Sequence, residues 1–183
     1  MIAMLGVPFV VCTADIDESM REGETPREYL ERIAQGKLDA VRARTATSSG
    51  TGTAGILVAD TVVIAPDGGI LGKPRDDDDA RAMIERLAGA THEVSTRFLL
   101  ATPVGTAPPA HAETVTTRVA FRAVGPDEAR AYAATGEGRD KAGAYAVQGR
   151  AAAFVERIEG SYTGVVGLPL CEVVVALRAL GWL

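Results

Sequence analysis

The chain has 183 residues, 47% of them hydrophobic, which fits one globular domain over 1–183 with a sizeable core and room for two lobes. A formal net charge of -5, with lysine and arginine scattered, argues against nucleic acid as the partner, yet a nucleotide needs only a few placed cations. No apolar run is long enough to span a bilayer and the start MIAMLGVPF lacks a charged leader region, so a cytoplasmic protein is expected, with Cys12 and Cys171 as reduced core residues.

In chain order, Met1–Leu5 followed by Gly6 reads as the last turn of a helix and its C-terminal glycine. Phe9–Cys12 reads as a short strand. Asp15, Asp17 and Glu18 then crowd a polar stretch, open between a solvated loop and a site for a hard divalent cation. Thr25-Pro26-Arg27-Glu28 is a capping box with proline at the first helical position, and Leu30, Ile33, Ala34 and Val41 supply the buried stripe of the helix it opens. Lys37 falls within that stripe, either snorkelling outward or serving a site. Thr45–Gly55, rich in Ser, Thr and Gly, is expected to be a flexible loop.

Ile56–Ile64 is a nearly continuous apolar run of a strand covered on both faces, interrupted by Asp60 with Thr61 beside it. A carboxylate there requires a cation, a metal or several donors, so Asp60 is open between a structural ion pair and a catalytic group. Pro66–Gly69 turns the chain into a hairpin, and Lys73, held extended by Pro74, leaves it in a fixed direction. Asp76–Asp79 complements the start of a helix whose apolar positions are Ala80, Met83, Ile84 and Leu87 and whose stop is Gly89. Strands follow at His92–Ala101 and Thr114–Phe121 with a loop over Thr102–Ala112, then a helix from Pro126 to Ala134. Asp140–Gly149, DKAGAYAVQG, has the composition of a loop that wraps a ligand. Ala152–Ile158 and Tyr162–Val166 are expected to pair as a hairpin about Glu159-Gly160-Ser161. Pro169 opens a last helix with Leu170, Val173, Val174, Leu177 and Leu180 inside and Gly181 as its stop.

Six segments in register, Asp15–Glu18 (DIDE), Tyr29–Lys37 (YLERIAQGK), Ala59–Val62 (ADTV), Leu71–Pro74 (LGKP), Asp140–Gly149 and Val165–Pro169 (VVGLP), together resemble the Maf family of nucleoside triphosphate pyrophosphatases. The resemblance implies an α/β fold, a mixed sheet flanked by helices with two lobes around a cleft, commonly as a homodimer. It implies hydrolysis of a nucleoside triphosphate to the monophosphate and pyrophosphate with a divalent metal cation, Mg or Mn. By the same resemblance Asp60 and Glu18 hold the metal or orient water, Lys37 and Lys73 neutralise the triphosphate, and Gln148 acts in the same site. Asp140, Lys141 and Tyr145, with Thr61, contact the substrate. The DKAGAY form is similar to the subgroup acting on dTTP and UTP; the alternatives are a 7-methyl-GTP or purine-selective enzyme and a catalytically impaired, septum-regulatory homologue. Val58 and Ala146 stand where family members carry glycine, and no S-x-S-P-R-R segment is found. The expectation is therefore a chain lacking the family's first strand and most of its first helix, with weakened activity.

Overall fold

Strands β1 (Ile56–Ile64), β2 (Ile70–Leu71), β3 (Thr91–Ala101), β4 (His111–Phe121) and β5 (Val155–Glu159) form one sheet in the order β2-β1-β3-β4-β5. This is a computed structural model describing residues 1–46, 55–103, 105 and 107–183. Helices α1 (Pro26–Ala46), α2 (Asp77–Leu87), α3 (Pro126–Ala133), α4 (Tyr162–Val166) and α5 (Leu170–Ala179) complete the α/β fold. The strands run antiparallel, where a mixed sheet was expected. For two of the pairs the connection alone decides this: β1 and β2 are joined by a tight turn and β3 and β4 by residues 102–110, each too short for the crossover that parallel neighbours need.

The chain divides into two compact units, Met1–Asp60 with Thr96–Thr114 and Leu168–Leu183, and Thr61–Ser95 with Val115–Gly167. The first has a core in which Ala34, Leu38 and Val41 of α1 meet Ile56 and Val58 of β1 and Leu99 and Ala101 of β3. The capping box that starts α1 is formed: the Thr25 amide donates to the Glu28 carboxylate at 2.9 Å, and the Glu28 amide donates to Thr25 Oγ1 at 3.3 Å. Burying Leu38 completely contributes about 1.5–3 kcal/mol. α5 ends in a Schellman motif, because Gly181 at φ 69° lets its amide reach the Arg178 carbonyl and the Trp182 amide reach that of Leu177. Val173 and Leu177 of α5 are buried as expected, whereas Leu170, Val174 and Leu180 are only half-buried.

In the second unit Val63, Leu71, Ile84, Leu87, Val94, Val119, Phe121 and Phe154 pack together with Tyr132 and Tyr145. The expected hairpin pairs Val63 with Leu71 and Ile64 with Ile70, closed by hydrogen bonds between Ala65 and both Gly68 and Gly69. The aspartate run caps α2 as predicted: Asp76 accepts from the Asp79 amide, while Asp77 and Asp79 pair with Arg139 and Arg75. Thr117, Val119 and Phe121 form the buried face of β4.

Several sequence expectations are corrected. Phe9–Cys12 forms no strand, and Val10 is 93% exposed; a short branched run has strand propensity but needs a partner edge to become one. Cys12 and Cys171 are exposed rather than in the core, and both are free. The segment after β5 is helix α4 and not a returning strand, because the Ser161 hydroxyl accepts from the Gly164 amide and caps a helical turn, while β5 pairs with β4 instead. Ile2–Leu5 does form a helical turn, stopped by Gly6 in the left-handed region. Most of the loop expected over Thr45–Gly55 lies, at 47–54, outside the described residues. Among the described residues no helix is long and apolar enough to cross a membrane.

Candidate active site

The charged positions inside apolar elements account for one another in the first unit. Lys37, on the inward stripe of α1, extends its ammonium to Asp60 on β1 at 2.5 Å and to Glu18 at 2.8 Å. The Lys37 and Asp60 side chains keep only 19% and 13% of their exposure, so the triad is shielded without being sealed from water. Burial by itself pushes the lysine pKa down, but the hydrogen bonds to Asp60 and Glu18 outweigh it and hold the ammonium above its ordinary value. The residue before Lys37, Gly36, leaves room for Ile16, whose Cδ1 lies 3.3 Å from where a Cβ would stand.

Glu18 is delivered by a segment with no regular structure, yet it is pinned to α1. The Tyr29 hydroxyl donates to the Glu18 carbonyl at 3.1 Å and Arg32 donates to the Ser19 carbonyl at 2.9 Å. Arg32 also grips the Glu24 carboxylate through two nitrogens, which holds the Glu24 pKa at about 2. Tyr29 has its pKa raised, by burial first and then by the negative charges of Asp60 and Glu18. Neither Tyr29 nor Arg32 is predicted as a site residue from sequence. The available signal is that both lie within the segment Tyr29–Lys37 and stand three residues apart, neighbours on one face of α1.

The remaining predicted residues belong to the second unit. Lys73 is exposed just after β2. The Lys141 ammonium, hydrogen-bonded to Asp140 at 2.7 Å, holds the Asp140 carboxyl below its ordinary value, with a smaller contribution from the charge of Lys73. The Gly143 amide donates to the Gly72 carbonyl at 3.0 Å, stitching the 140–149 loop to the residue that precedes Lys73. Gly143, at φ 70°, has the Val63 side chain 3.0 Å from where its Cβ would be, so glycine is required there on both counts. Gln148 is exposed at the far end of the loop and Thr61 is half-buried on β1. Tyr145 faces inward: it is 5% exposed, its ring packs edge-on against Phe121, and its hydroxyl lies 2.8 Å from His92 Nε2. Burial lowers the His92 pKa to about 4, so the ring is neutral at ordinary pH. His92 is not among the residues that the sequence singles out, although its place two residues before Val94 on an inward-facing register marks it as buried.

Glu18 and Asp60 offer hard oxygen donors that converge on one cation, the Lys37 ammonium. Among the described residues no group of three or more His, Cys, Asp or Glu side chains is placed to hold a metal. Two carboxylates fit magnesium or manganese, which commonly keep water and substrate phosphates as their other ligands, and do not form a closed protein cage.

The family described as Maf-like protein matches residues 1–180. The chain belongs to the Maf family. It is 47% identical over 181 residues to a dTTP/UTP pyrophosphatase of Hahella chejuensis (strain KCTC 2396), covering 99% of this chain and 86% of the relative. Similar relatives, also named dTTP/UTP pyrophosphatase, come from Geotalea uraniireducens (strain Rf4), at 43% identity with 99% of this chain and 89% of the relative covered, and Geobacter sulfurreducens (strain ATCC 51573 / DSM 12127 / PCA), at 46% with 99% and 90% covered.

Proposed function

We propose that this Maf protein is a nucleoside triphosphate pyrophosphatase that hydrolyses dTTP and UTP to the monophosphate and pyrophosphate, acting in the cytoplasm as a single Maf-like domain and a homodimer. The observation that carries the site assignment is the Lys37 ammonium bridging Asp60 and Glu18, a partly shielded cluster of opposite charges set where α1 and β1 otherwise present apolar side chains. The relatives' shared name supports the substrate class.

In the reaction a water oxygen forms a bond to the α-phosphorus while the bond from that phosphorus to the bridging oxygen of the leaving pyrophosphate breaks. Asp60 and Glu18 orient the water and take its proton. Lys37 holds both carboxylates in one arrangement, so their geometry is set before substrate arrives. Magnesium or manganese, held by Asp60 and Glu18, would supply charge neutralisation of the phosphate oxygens. Lys73 adds an exposed cation for the triphosphate, and Asp140 and Lys141 meet the nucleoside end. Thr61 and Gln148 add polar contacts, and Tyr145 acts from below by fixing the loop through His92.

The test is pyrophosphate release across a panel of canonical and modified triphosphates, with and without a chelator. The expected result is chelator-sensitive turnover with the highest kcat/KM for dTTP and UTP. A preference for 7-methyl-GTP or a purine triphosphate would overturn the substrate assignment, and absence of turnover with intact binding would make the chain a nucleotide-binding homologue.

A further inference from the structure

Just before the 140–149 loop stands a carboxylate that no substrate contact explains. Glu137, between Gly136 and Gly138, directs its side chain beneath the loop and not outward. Its carboxylate accepts from the Tyr132 hydroxyl at 3.0 Å, from the Arg150 amide at 3.0 Å and from the Ala151 amide at 3.4 Å. The Tyr132 oxygen in turn accepts from the Ala146 amide at 3.1 Å. These four hydrogen bonds thus bracket the segment Ala146–Ala151 on both sides of Gln148, whose own side chain is exposed.

Two glycines make that arrangement possible. A Cβ at Gly149 would lie 2.4 Å from the Glu137 carboxylate, so any side chain there would displace the acid. A Cβ at Gly138 would lie 1.9 Å from the Ala144 carbonyl oxygen, so the stretch before the loop also packs against its middle. Ala144 itself is held at φ 59°, a left-handed conformation that costs a non-glycine residue about 1 kcal/mol or more and persists only under constraint from its surroundings. Burial opposes ionisation of Glu137, but its backbone and hydroxyl donors prevail and lower its pKa, which keeps the acceptor in the charged form that three donors require.

We infer that Glu137, acting through Tyr132 and the space left by Gly149, is a positioning residue that fixes the backbone on either side of Gln148 so that this side chain is presented to the triphosphate in one orientation. The inference rests on the reading of Gln148 as a site residue. Glu137→Gln is the informative substitution: it keeps the shape but leaves one acceptor oxygen for three donors and turns an amide N–H toward another donor.

Two measurements on the full chain decide it. In amide hydrogen exchange, Glu137→Gln is expected to speed exchange at Arg150 and Ala151 by about tenfold or more while leaving β3 unchanged. In steady-state kinetics on dTTP, kcat is expected to fall by about tenfold or more in the wild-type background and by less than about twofold in a Gln148→Ala background, the non-additivity of residues acting as a unit. Gly149→Ala should reproduce both effects and serves in place of Glu137→Gln if that variant does not fold. Unchanged exchange, or faster exchange with full kcat, or an equal kcat loss in both backgrounds overturns the inference. Wild-type turnover retained by Gln148→Ala overturns it as well, since no positioned group would remain. If the wild-type chain turns over no triphosphate, the functional reading fails separately, and unchanged exchange at Arg150 and Ala151 then disproves the clamp on its own.

Discussion

The carboxylate-lysine triad and the 140–149 loop are built on opposite plans. In the triad, side chains carry the chemistry and the backbone is ordinary: Lys37 rides on a capped helix and Asp60 on a strand, and each is anomalous only because it is charged where its element is apolar. In the loop, the backbone is the unusual part. Gly143 and Ala144 adopt positive φ, Gly138 and Gly149 are pressed against neighbouring atoms, and the residues that hold the arrangement, His92, Tyr132 and Glu137, lie outside the loop. The contrast shows that a charge placed against the pattern of its element can be located from sequence, while support for a loop cannot, because the supporting residues look ordinary where they stand.

The largest expected effect breaks the first plan. Asp60→Asn keeps shape and a hydrogen-bonding group for Lys37 but removes the charge, and kcat/KM on dTTP should fall by about a hundredfold or more with the melting temperature little changed. Near wild-type turnover in the purified variant would return Asp60 to the status of a structural carboxylate.

The same contrast explains what was legible. The capping box of α1, the β1-β2 hairpin, the α2 cap and the glycine stop of α5 are local codes, and the structure forms each of them. Lys37 and Asp60 stand out in the sequence because the pattern that surrounds each is strong. Phe9–Cys12 and α4 depart from the sequence expectation because strand propensity in a short apolar run says nothing about a partner edge, and because one serine hydroxyl turns 161–166 toward helix. The sheet's order depends on which strand edges meet across long connections, as β1 meets β3 beyond β2 and α2, and no single segment states that.

The second plan is probed by pH. The unfolded imidazole of His92 takes a proton near pH 6.5, whereas the folded one, buried against Phe121 and Tyr145, resists until about 4. Between those values the unfolded state binds more protons, so stability falls as pH drops. From about pH 7.5 to about pH 5 the loss should reach about 2 kcal/mol in urea unfolding, before most carboxylates titrate. His92→Gln should flatten that slope. A wild-type profile flat over this range would mean that the ring is already protonated or solvated in the folded protein, and the packing beneath Tyr145 would be looser than described.

The smallest effect compares one lysine from each region. Lys37→Ala leaves Asp60 and Glu18, both partly shielded, facing one another without their cation, and the folded state should lose about 1–2 kcal/mol, less than a fully buried pair because water reaches the site. Lys73→Ala removes an exposed side chain whose backbone is already set by Pro74, and should change stability by less than about 0.5 kcal/mol. Both should raise KM for dTTP, because each removes a positive charge from the triphosphate's surroundings. Melting curves and steady-state kinetics on the two variants therefore give one shared effect and one divergent one. A stability loss for Lys73→Ala as large as that for Lys37→Ala would show that Lys73 is a structural cation holding Asp140, and the loop would then share the triad's reliance on charge. Unchanged KM in both variants would place the triphosphate elsewhere on the molecule.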